Sequence, residues 1–346
     1  MGEKNMAMKS IRHHTFIRPF TAGLLLLAAL WVGGCADKAS PPSGNENNSI
    51  NGKKEVVIRL PDTLSDLAYV AEEKGFFAKE GIRIQWTGKQ AHGPANIVSI
   101  AAGQNDAAAS ISTAMIQARK AGNKVRIVVP SSVSSPNGSH VSYLVLENGP
   151  YQKPEDLPGR KVVASPQTIT WYPLVVYLKS KGLDPNKVEF VTLRDAGQQE
   201  QALRQGDVAA IALNEPTASL VKQRGGIKSI LTDYEALGIS QTGGWAFSDE
   251  FIKQNPDAVR RFVKAILDTV DFINSSAINE KEAVAIIGKR AGIARVPTLL
   301  PVKQFLVSEQ DIAKWISILE NNGAIKPGEV RPSDVFTNEF NPYAKK

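Results

Sequence analysis

From Glu55 onward, short apolar runs alternate with stretches of helical periodicity. Residues 56–60 (Val-Val-Ile-Arg-Leu) read as a buried strand, broken by Pro61 and Asp62. Leu64, Leu67, Ala68 and Ala71 then recur at helical spacing until Gly75 supplies a C-terminal cap. Residues 82–86 form the next strand and 87–93 a loop, and Pro94 suits the first turn of a helix carrying Ile97, Val98 and Ile100. Residues 107–110 are a small-residue strand, 113–121 a helix and 125–129 another strand. Strands that alternate with helices of about ten residues predict an open, mainly parallel α/β sheet.

The rhythm restarts after the Ser/Pro/Asn/Gly-rich loop 131–139. Strands are expected over 141–146, 161–164, 188–193, 208–213 and 227–231, with helices over 171–181 and 196–205 and another opened by Asn214-Glu215-Pro216. Beyond Gly243-Gly244 the chain turns helical: Asn255-Pro256 opens a long helix with Val259, Phe262, Val263, Ile266, Leu267 and Val270 on one face, and another is capped by Ser308 and closed by Gly323. The pattern therefore divides into 55–140 with 243–346 as lobe I and 141–242 as lobe II, and the chain crosses between them near Ser139 and near Gly243.

The N-terminus follows other rules. Lys4, Lys9, Arg12 and Arg18 precede an uncharged run of 13 residues, 20–32, and Val32-Gly33-Gly34-Cys35 ends it. A basic segment, a short apolar segment and small residues are the order of a secretory signal, and spanning a bilayer needs about 20 apolar residues. The ending resembles the lipobox of bacterial lipoproteins, which implies a signal peptide over 1–34 and a lipidated Cys35. Residues 35–54 are small, polar and Pro/Gly/Asn-rich and read as a flexible tether. The protein is thus expected outside the cytoplasm, lipid-anchored to the cell membrane.

Setting aside the four basic residues and one acidic residue of 1–34 from totals of 41 and 34 leaves 37 against 33, a net +4. Those charges are interspersed, so nothing resembles a nucleic-acid-binding stripe. Cys35 is the only cysteine, which leaves neither a disulfide nor a thiolate metal site. His92 and His140 stand alone at no metal-ligand spacing. No metal or cofactor is expected, and no Gly-x-Ser-x-Gly elbow, Walker loop or His-Glu-x-x-His motif points to an enzyme.

Residues 73–82, Glu-Lys-Gly-Phe-Phe-Ala-Lys-Glu-Gly-Ile, resemble a signature of the ABC-transporter solute-binding proteins for nitrate, sulfonates, taurine and thiamine pyrimidine precursors. Ala101-Ala102-Gly103-Gln104-Asn105-Asp106, the segment 155–162 and Leu203-Arg204-Gln205-Gly206-Asp207-Val208 with Asn214-Glu215-Pro216 echo the same family in the same order. The resemblance implies a two-lobed type II periplasmic-binding fold, with a ligand between the lobes and a membrane permease and an ATPase as partners. Such a protein is a passive receptor and is expected to be a monomer. A membrane-anchored sensor without transport is the alternative of another class.

In open α/β sheets ligands sit beyond the carboxyl ends of the strands, where helix N-termini offer N–H groups to anions. Asp62, Thr63, Gly93, Ser112, Thr113, Thr168, Thr170 and Glu215 occupy such loops, with Ser110 beside them. The hydroxyls and acids there also suit helix capping. Trp171 and Trp245 are the aromatics expected to clamp a flat or aliphatic group. These ten residues form the expected ligand set, for a sulfonate, taurine or nitrate on one reading. A pyrimidine-like heterocycle held by the carboxylates is the other.

Overall fold

The computed structural model describes residues 49–63, 67–89, 93–136, 138–291 and 306–345. The expected signal peptide, Cys35 and residues 36–48 of the expected tether lie outside them. The tether was expected to reach Lys54, yet β1 (Ser49–Ile50) and β2 (Lys53–Lys54) already pair antiparallel. Asn51 and Gly52 turn the chain with φ of 50° and 75°, the backbone that an Asn-Gly hairpin turn requires. The hairpin is fastened to the body by Asn51 Nδ2, which donates to Ala78 O at 2.9 Å, and by Arg261 Nη1, which donates to Lys54 O at 2.9 Å.

The first α/β unit follows the sequence pattern. β3 (Val56–Asp62) passes through α1 (Leu67–Glu73) and α2 (Phe76–Lys79) to β4 (Ile82–Lys89), and the two strands pair parallel with Val56 opposite Ile82. Pro94 occupies the first turn of α3 (Pro94–Ala101), which leads to β5 (Ala107–Ile111), α4 (Ser112–Lys120) and β6 (Val125–Ser134). Asp106 stitches β3 to the start of β5. Its N–H donates to Arg59 O at 3.0 Å, and its carboxylate takes the Arg59 N–H at 2.8 Å as well as the guanidinium.

The second unit comprises β7 (Val141–Leu146), β8 (Lys161–Val163), α5 (Tyr172–Ser180), β9 (Glu189–Val191), α6 (Ala196–Gln205), β10 (Ala210–Asn214), α7 (Thr217–Gln223), β11 (Ile227–Thr232) and α8 (Asp233–Leu237). Its five strands run in the order β11-β7-β10-β8-β9, with β8, β9 and β10 parallel and β7 antiparallel to both its neighbours. Both faces are covered: Leu144, Val163, Ile211 and Leu213 pack with Leu203 and Val221, while Tyr143, Val145, Val162 and Ala210 belong to the core that holds Leu174 and Leu178. Two covered faces explain why these strands read as continuous apolar runs.

The crossing expected near Gly243 is made by a strand. Gly243 and Gly244 lie within β12 (Ser240–Ser248), whose residues are buried up to Phe247 and which is sandwiched antiparallel between β5 and β6. β6 also outruns its expected end at 129, and its last residues pair with the first of β12, Ser240 opposite Ser134 and Gln241 opposite Val133. The two crossings are therefore one antiparallel ribbon. The glycines are there for space: a Cβ on Gly244 would stand 2.3 Å from Ile127 Cγ2 and 2.5 Å from Val129 O, and one on Gly243 would stand 2.3 Å from Ser110 O.

The remaining helices are α9 (Asp249–Gln254), α10 (Pro256–Ser275), α11 (Ala277–Ala291), α12 (Glu309–Asn321) and α13 (Pro332–Val335). α10 lays its apolar face on the first unit, where Phe262 meets Trp245, Phe247 and Phe77 at ring-centre distances of 5.4, 5.2 and 5.4 Å. α12 is capped by the Ser308 side chain. Its Ile312, Trp315 and Leu319 join a core that also holds Ile97, Met115 and Ile127 of the first unit and Tyr172 and Leu178 of the second.

Gly244→Ala is expected to destabilise the protein by about 2–3 kcal/mol, the upper range for overpacking a filled core, because the nearest atoms include backbone of β6. Urea denaturation against wild type measures it, and a loss below about 0.5 kcal/mol would mean that the strands part easily.

Candidate functional site

A cavity of about 840 Å³ opens where the carboxyl ends of strands from both units converge. The first unit contributes Thr63, Gly93 at the start of α3, Ser110 and Ile111 at the end of β5, and Trp245 of β12. The second contributes Ala164 and Ser165 after β8, Leu193 and Arg194 after β9, and Asn214 and Glu215 after β10. Ser132, Val133 and His140 line it from the crossing, and Ile273, Glu280, Ala283, Val284 and Ile287 from α10 and α11. Its place matches the rule for open α/β sheets.

Several polar atoms in this wall are buried and have no hydrogen-bond partner among the described residues. They are Ser110 Oγ, His140 Nε2, Gln199 Oε1, Asn214 Oδ1 and Trp245 Nε1. Ser110 and Trp245 are only 7% and 1% exposed. Such groups cost about 1–3 kcal/mol each when left unpaired, and native structures keep few of them without a functional reason. Together they offer a hydroxyl, an indole N–H, an imidazole nitrogen and two amide oxygens to whatever enters.

Six of the ten expected ligand residues lie in this wall: Thr63, Gly93, Thr168, Thr170, Glu215 and Trp245. Thr168 and Thr170 are largely occupied with each other. Their hydroxyls stand 2.9 Å apart, and Thr168 Oγ1 donates to Ser165 O at 2.7 Å. Trp245 has two duties, packing its ring edge-on to Phe262 while its N–H faces no acceptor.

The other four lie outside the wall. The Asp62 carboxylate accepts the Tyr69 hydroxyl. Ser112 and Thr113 form the buried first turn of α4, one step past the wall residue Ile111. Trp171 turns into the core, edge-on to Tyr172 at 5.1 Å and Phe190 at 5.9 Å. An aromatic at a loop–helix junction looks the same in sequence whether it faces ligand or core, and here the apolar neighbours won.

Several wall residues were absent from the expected set. Arg194 follows strand β9 directly, so the strand-end rule that selected the other loops could have found it. Asn214 ends β10 in a loop already recognised. His140 and the α11 residues carried no signal, because their position depends on the crossing ribbon and on helix packing. Among the charged wall residues, Glu215 has partners: Oε2 accepts the Ser219 N–H at 3.1 Å, and Oε1 is 3.8 Å from Lys222 Nζ. Its own N–H donates to His140 O at 2.9 Å. Arg194 and Glu280 have no ion pair among the described residues.

Burial is the largest influence on His140 and pushes its pKa below the ordinary 6.5, while the nearby carboxylates of Asp233 and Glu215 pull it up less strongly. The imidazole is therefore neutral near pH 7.

Residues 66–276 match the family model described as NMT1/THI5 like. The chain belongs to this family. This NMT1/THI5-like chain is similar to the taurine-binding periplasmic protein of Escherichia coli strain K12, with 25% identity over 73% of the chain and 78% of that relative. In fold it resembles the periplasmic aliphatic sulphonate binding protein SsuA of Escherichia coli, with a TM-score of 0.66 at 18% identity over 80% of this chain and 91% of that one. The fold also resembles the desulfurization enzyme DSZB, with a TM-score of 0.58 at 15% identity over 82% and 97% of the two chains. The architecture is that of the periplasmic binding proteins, and the family members and relatives found support a binding role.

Folding a neutral imidazole that the unfolded chain protonates below pH 6.5 makes acid favour the unfolded state. The His140 contribution is thus present above pH 6.5 and is lost as the pH falls toward its lowered folded value. His140→Gln is expected to lose less stability than wild type between about pH 7.5 and about pH 5.5, as read from urea midpoints at both pH values. Parallel losses would show that His140 takes up its proton as easily folded as unfolded.

Proposed function

We propose that this chain is an exported lipoprotein, held to the membrane through Cys35, that captures a small organic solute and delivers it to an ABC permease and its ATPase. The single observation that carries the reading is the cavity wall with its five buried, unpartnered polar atoms from both α/β units. A solute of the sulfonate, taurine or nitrate kind would accept from Ser110 Oγ and Trp245 Nε1 and lie beside Arg194. The taurine-binding relative supports this choice. A heterocycle such as a thiamine pyrimidine precursor is the second reading, favoured by the acceptors Asn214 Oδ1, Gln199 Oε1 and Glu215.

The two α/β units act as lobes that close on the solute about the β6–β12 ribbon, as hinged domains do. No step of chemistry is assigned: the wall offers binding groups, and the role is that of a receptor. The membrane tie follows from Val32-Gly33-Gly34-Cys35, since stable anchoring takes more than one acyl chain and a diacylated cysteine supplies it.

Two experiments test the reading. Thermal melting with taurine, ethanesulfonate, nitrate and a hydroxymethyl-pyrimidine identifies binders, because a ligand that binds only the native state raises its stability. With the strongest of these, Trp245→Phe keeps an aromatic ring beside Phe262 but loses the N–H, and is expected to weaken binding by about 1–1.5 kcal/mol in calorimetry, the scale of one hydrogen bond. Glu215→Gln should cost less than about 1 kcal/mol for an acid ligand. A larger loss at Glu215 than at Trp245 selects the heterocycle.

Cys35→Ser is expected to abolish incorporation of a palmitate analogue in cells that label the wild-type protein. Absence of label on the wild type would remove the lipoprotein reading while leaving the binding role intact.

A further inference from the structure

Most of the cavity wall is neutral, and its few charges are unbalanced. The titratable side chains in it are Arg194, Glu215, Glu280 and His140. With His140 neutral, one cation stands against two carboxylates and the wall is left with a net negative charge. Arg194 is exposed to solvent, where its pull on a solute is screened. An anion held in this cavity therefore lacks a buried counter-charge. Among the described wall residues, His140 is the one other side chain that can become positive.

The structure places His140 to do so. Its N–H donates to Ser134 Oγ at 3.1 Å and its carbonyl accepts the Glu215 N–H at 2.9 Å, so its backbone is pinned from β6 and from the turn after β10. The residue is half-buried, while Nε2 is buried and has no hydrogen-bond partner among the described residues. Of the elements around it, β6 presents Ser134 and β7 begins with Val141, both uncharged. α8 presents Asp233, and the turn after β10 presents Glu215, with Lys222 of α7 behind it at 3.8 Å. Both carboxylates already have donors: Asp233 takes the Ser134 hydroxyl and the Val141 N–H, and Glu215 takes the Ser219 N–H. In the empty cavity, burial outweighs their pull and keeps the imidazole neutral. An anion in the cavity adds a third negative charge and tips that balance.

We propose that an anionic solute and a proton enter this site together, the proton going to the His140 imidazole and the solute lying beside it. The proton comes from bulk water, and no bond in the solute changes. The imidazolium supplies the missing counter-charge, and the anion offsets the cost of burying it. This rests on the solute-receptor reading and adds the regulation of that site: affinity rises as the pH falls, and by reciprocity the bound anion makes His140 more basic.

The probes are nitrate and ethanesulfonate, which stay fully ionised from about pH 7.5 to about pH 5.5, so any change over that range belongs to the protein. Calorimetric titration of the wild-type chain is expected to show affinity at least about fivefold higher at the lower pH. Titrations at about pH 6.5 in Bis-Tris and in cacodylate, buffers that differ in heat of ionisation, count the protons. About 0.5 to 1 should be taken up per solute bound. His140→Gln, with melting by circular dichroism to confirm that it folds, should bind equally at both pH values and take up none. In the wild type, the assigned His140 ring-carbon resonance should move to its imidazolium position when the anion is added, a readout that needs no variant. If the wild type binds either probe with the same affinity at both pH values and takes up no proton, the coupling is wrong and the receptor reading stands. If folded His140→Gln keeps the pH dependence, or the His140 resonance does not move, another group takes the proton and the assignment falls. If neither probe binds the folded wild-type chain at millimolar concentration, the acid-receptor reading fails and this assignment fails with it.

Discussion

A buried carboxylate organises the place where the chain passes between its two α/β units. Asp233 has no exposed surface. It takes the Ser134 hydroxyl from the end of β6 and the Val141 N–H from the start of β7 at 3.0 Å, and Ser134 Oγ in turn accepts the His140 N–H at 3.1 Å. A charge in that position is tolerable only while these donors stay in place, since a buried ion stripped of a partner is strongly destabilising. Local sequence puts it there. Thr232 and Glu235 form a reciprocal capping box around α8, which makes Asp233 the first helical residue, a position the helix dipole favours for an acid. The knot holds His140 where its Nε2 joins the cavity wall and its carbonyl receives the Glu215 N–H.

A second clasp ties the helical tail to the same ribbon. Gln241 of β12 donates its N–H to Asp311 at 3.1 Å and its amide to Leu306 O at 2.7 Å, and it accepts from the Ser308 N–H at 2.7 Å and from Trp315 Nε1 at 3.0 Å. One side chain and its backbone thereby orient α12 and its N-cap. Just beyond, the β6–β12 register shifts between Gln241 and Gly243 and again between Gly243 and Gly244. Irregularities of this kind bend a strand and re-aim the next side chain. The next side chain is Trp245, whose ring reaches the Phe262 core while its edge reaches the cavity.

Much of this was legible because it is local. The alternation of β-branched runs with helical spacing placed most strands and helices, and Pro94 and Ser308 marked helix starts where they are found. Glycines were less decisive. Gly206 marks a helix end through its φ of 79°, whereas Gly243 and Gly244 gave the same letters for another reason, close approach of neighbouring strands inside a sheet. Reading them as a crossing between lobes hid the central strand β12. Asn51-Gly52 was the opposite case, a specific turn signal overlooked within polar composition. For the site, strand-end loops found the residues that β-strands position, and Arg194 obeyed the same rule. Trp171 and α11 could not be assigned, because which face a side chain turns to at that range is decided by tertiary packing.

The cavity wall also bears on why closure would need a solute. In an open cleft the unpartnered groups of Ser110, His140, Gln199, Asn214 and Trp245 can be met by water. If the two units close with nothing between them, each group that finds no partner across the cleft loses that water, at about 1–3 kcal/mol for each one stranded. Two or three stranded groups already hold the closed empty form to a small minority of molecules. A solute that satisfies them removes the penalty at the moment of closure, so part of its interaction energy goes into the conformational change rather than into affinity. On the proposed reading, a receptor built this way would present the closed form to a permease mainly when loaded. The neutral polar character of most of the wall serves that purpose better than a set of fixed charges would. Opposite charges across the cleft could pair at long range and close it empty, whereas the hydroxyl, indole and amide groups, unpartnered among the described residues, need close and directed contact and so wait for the ligand.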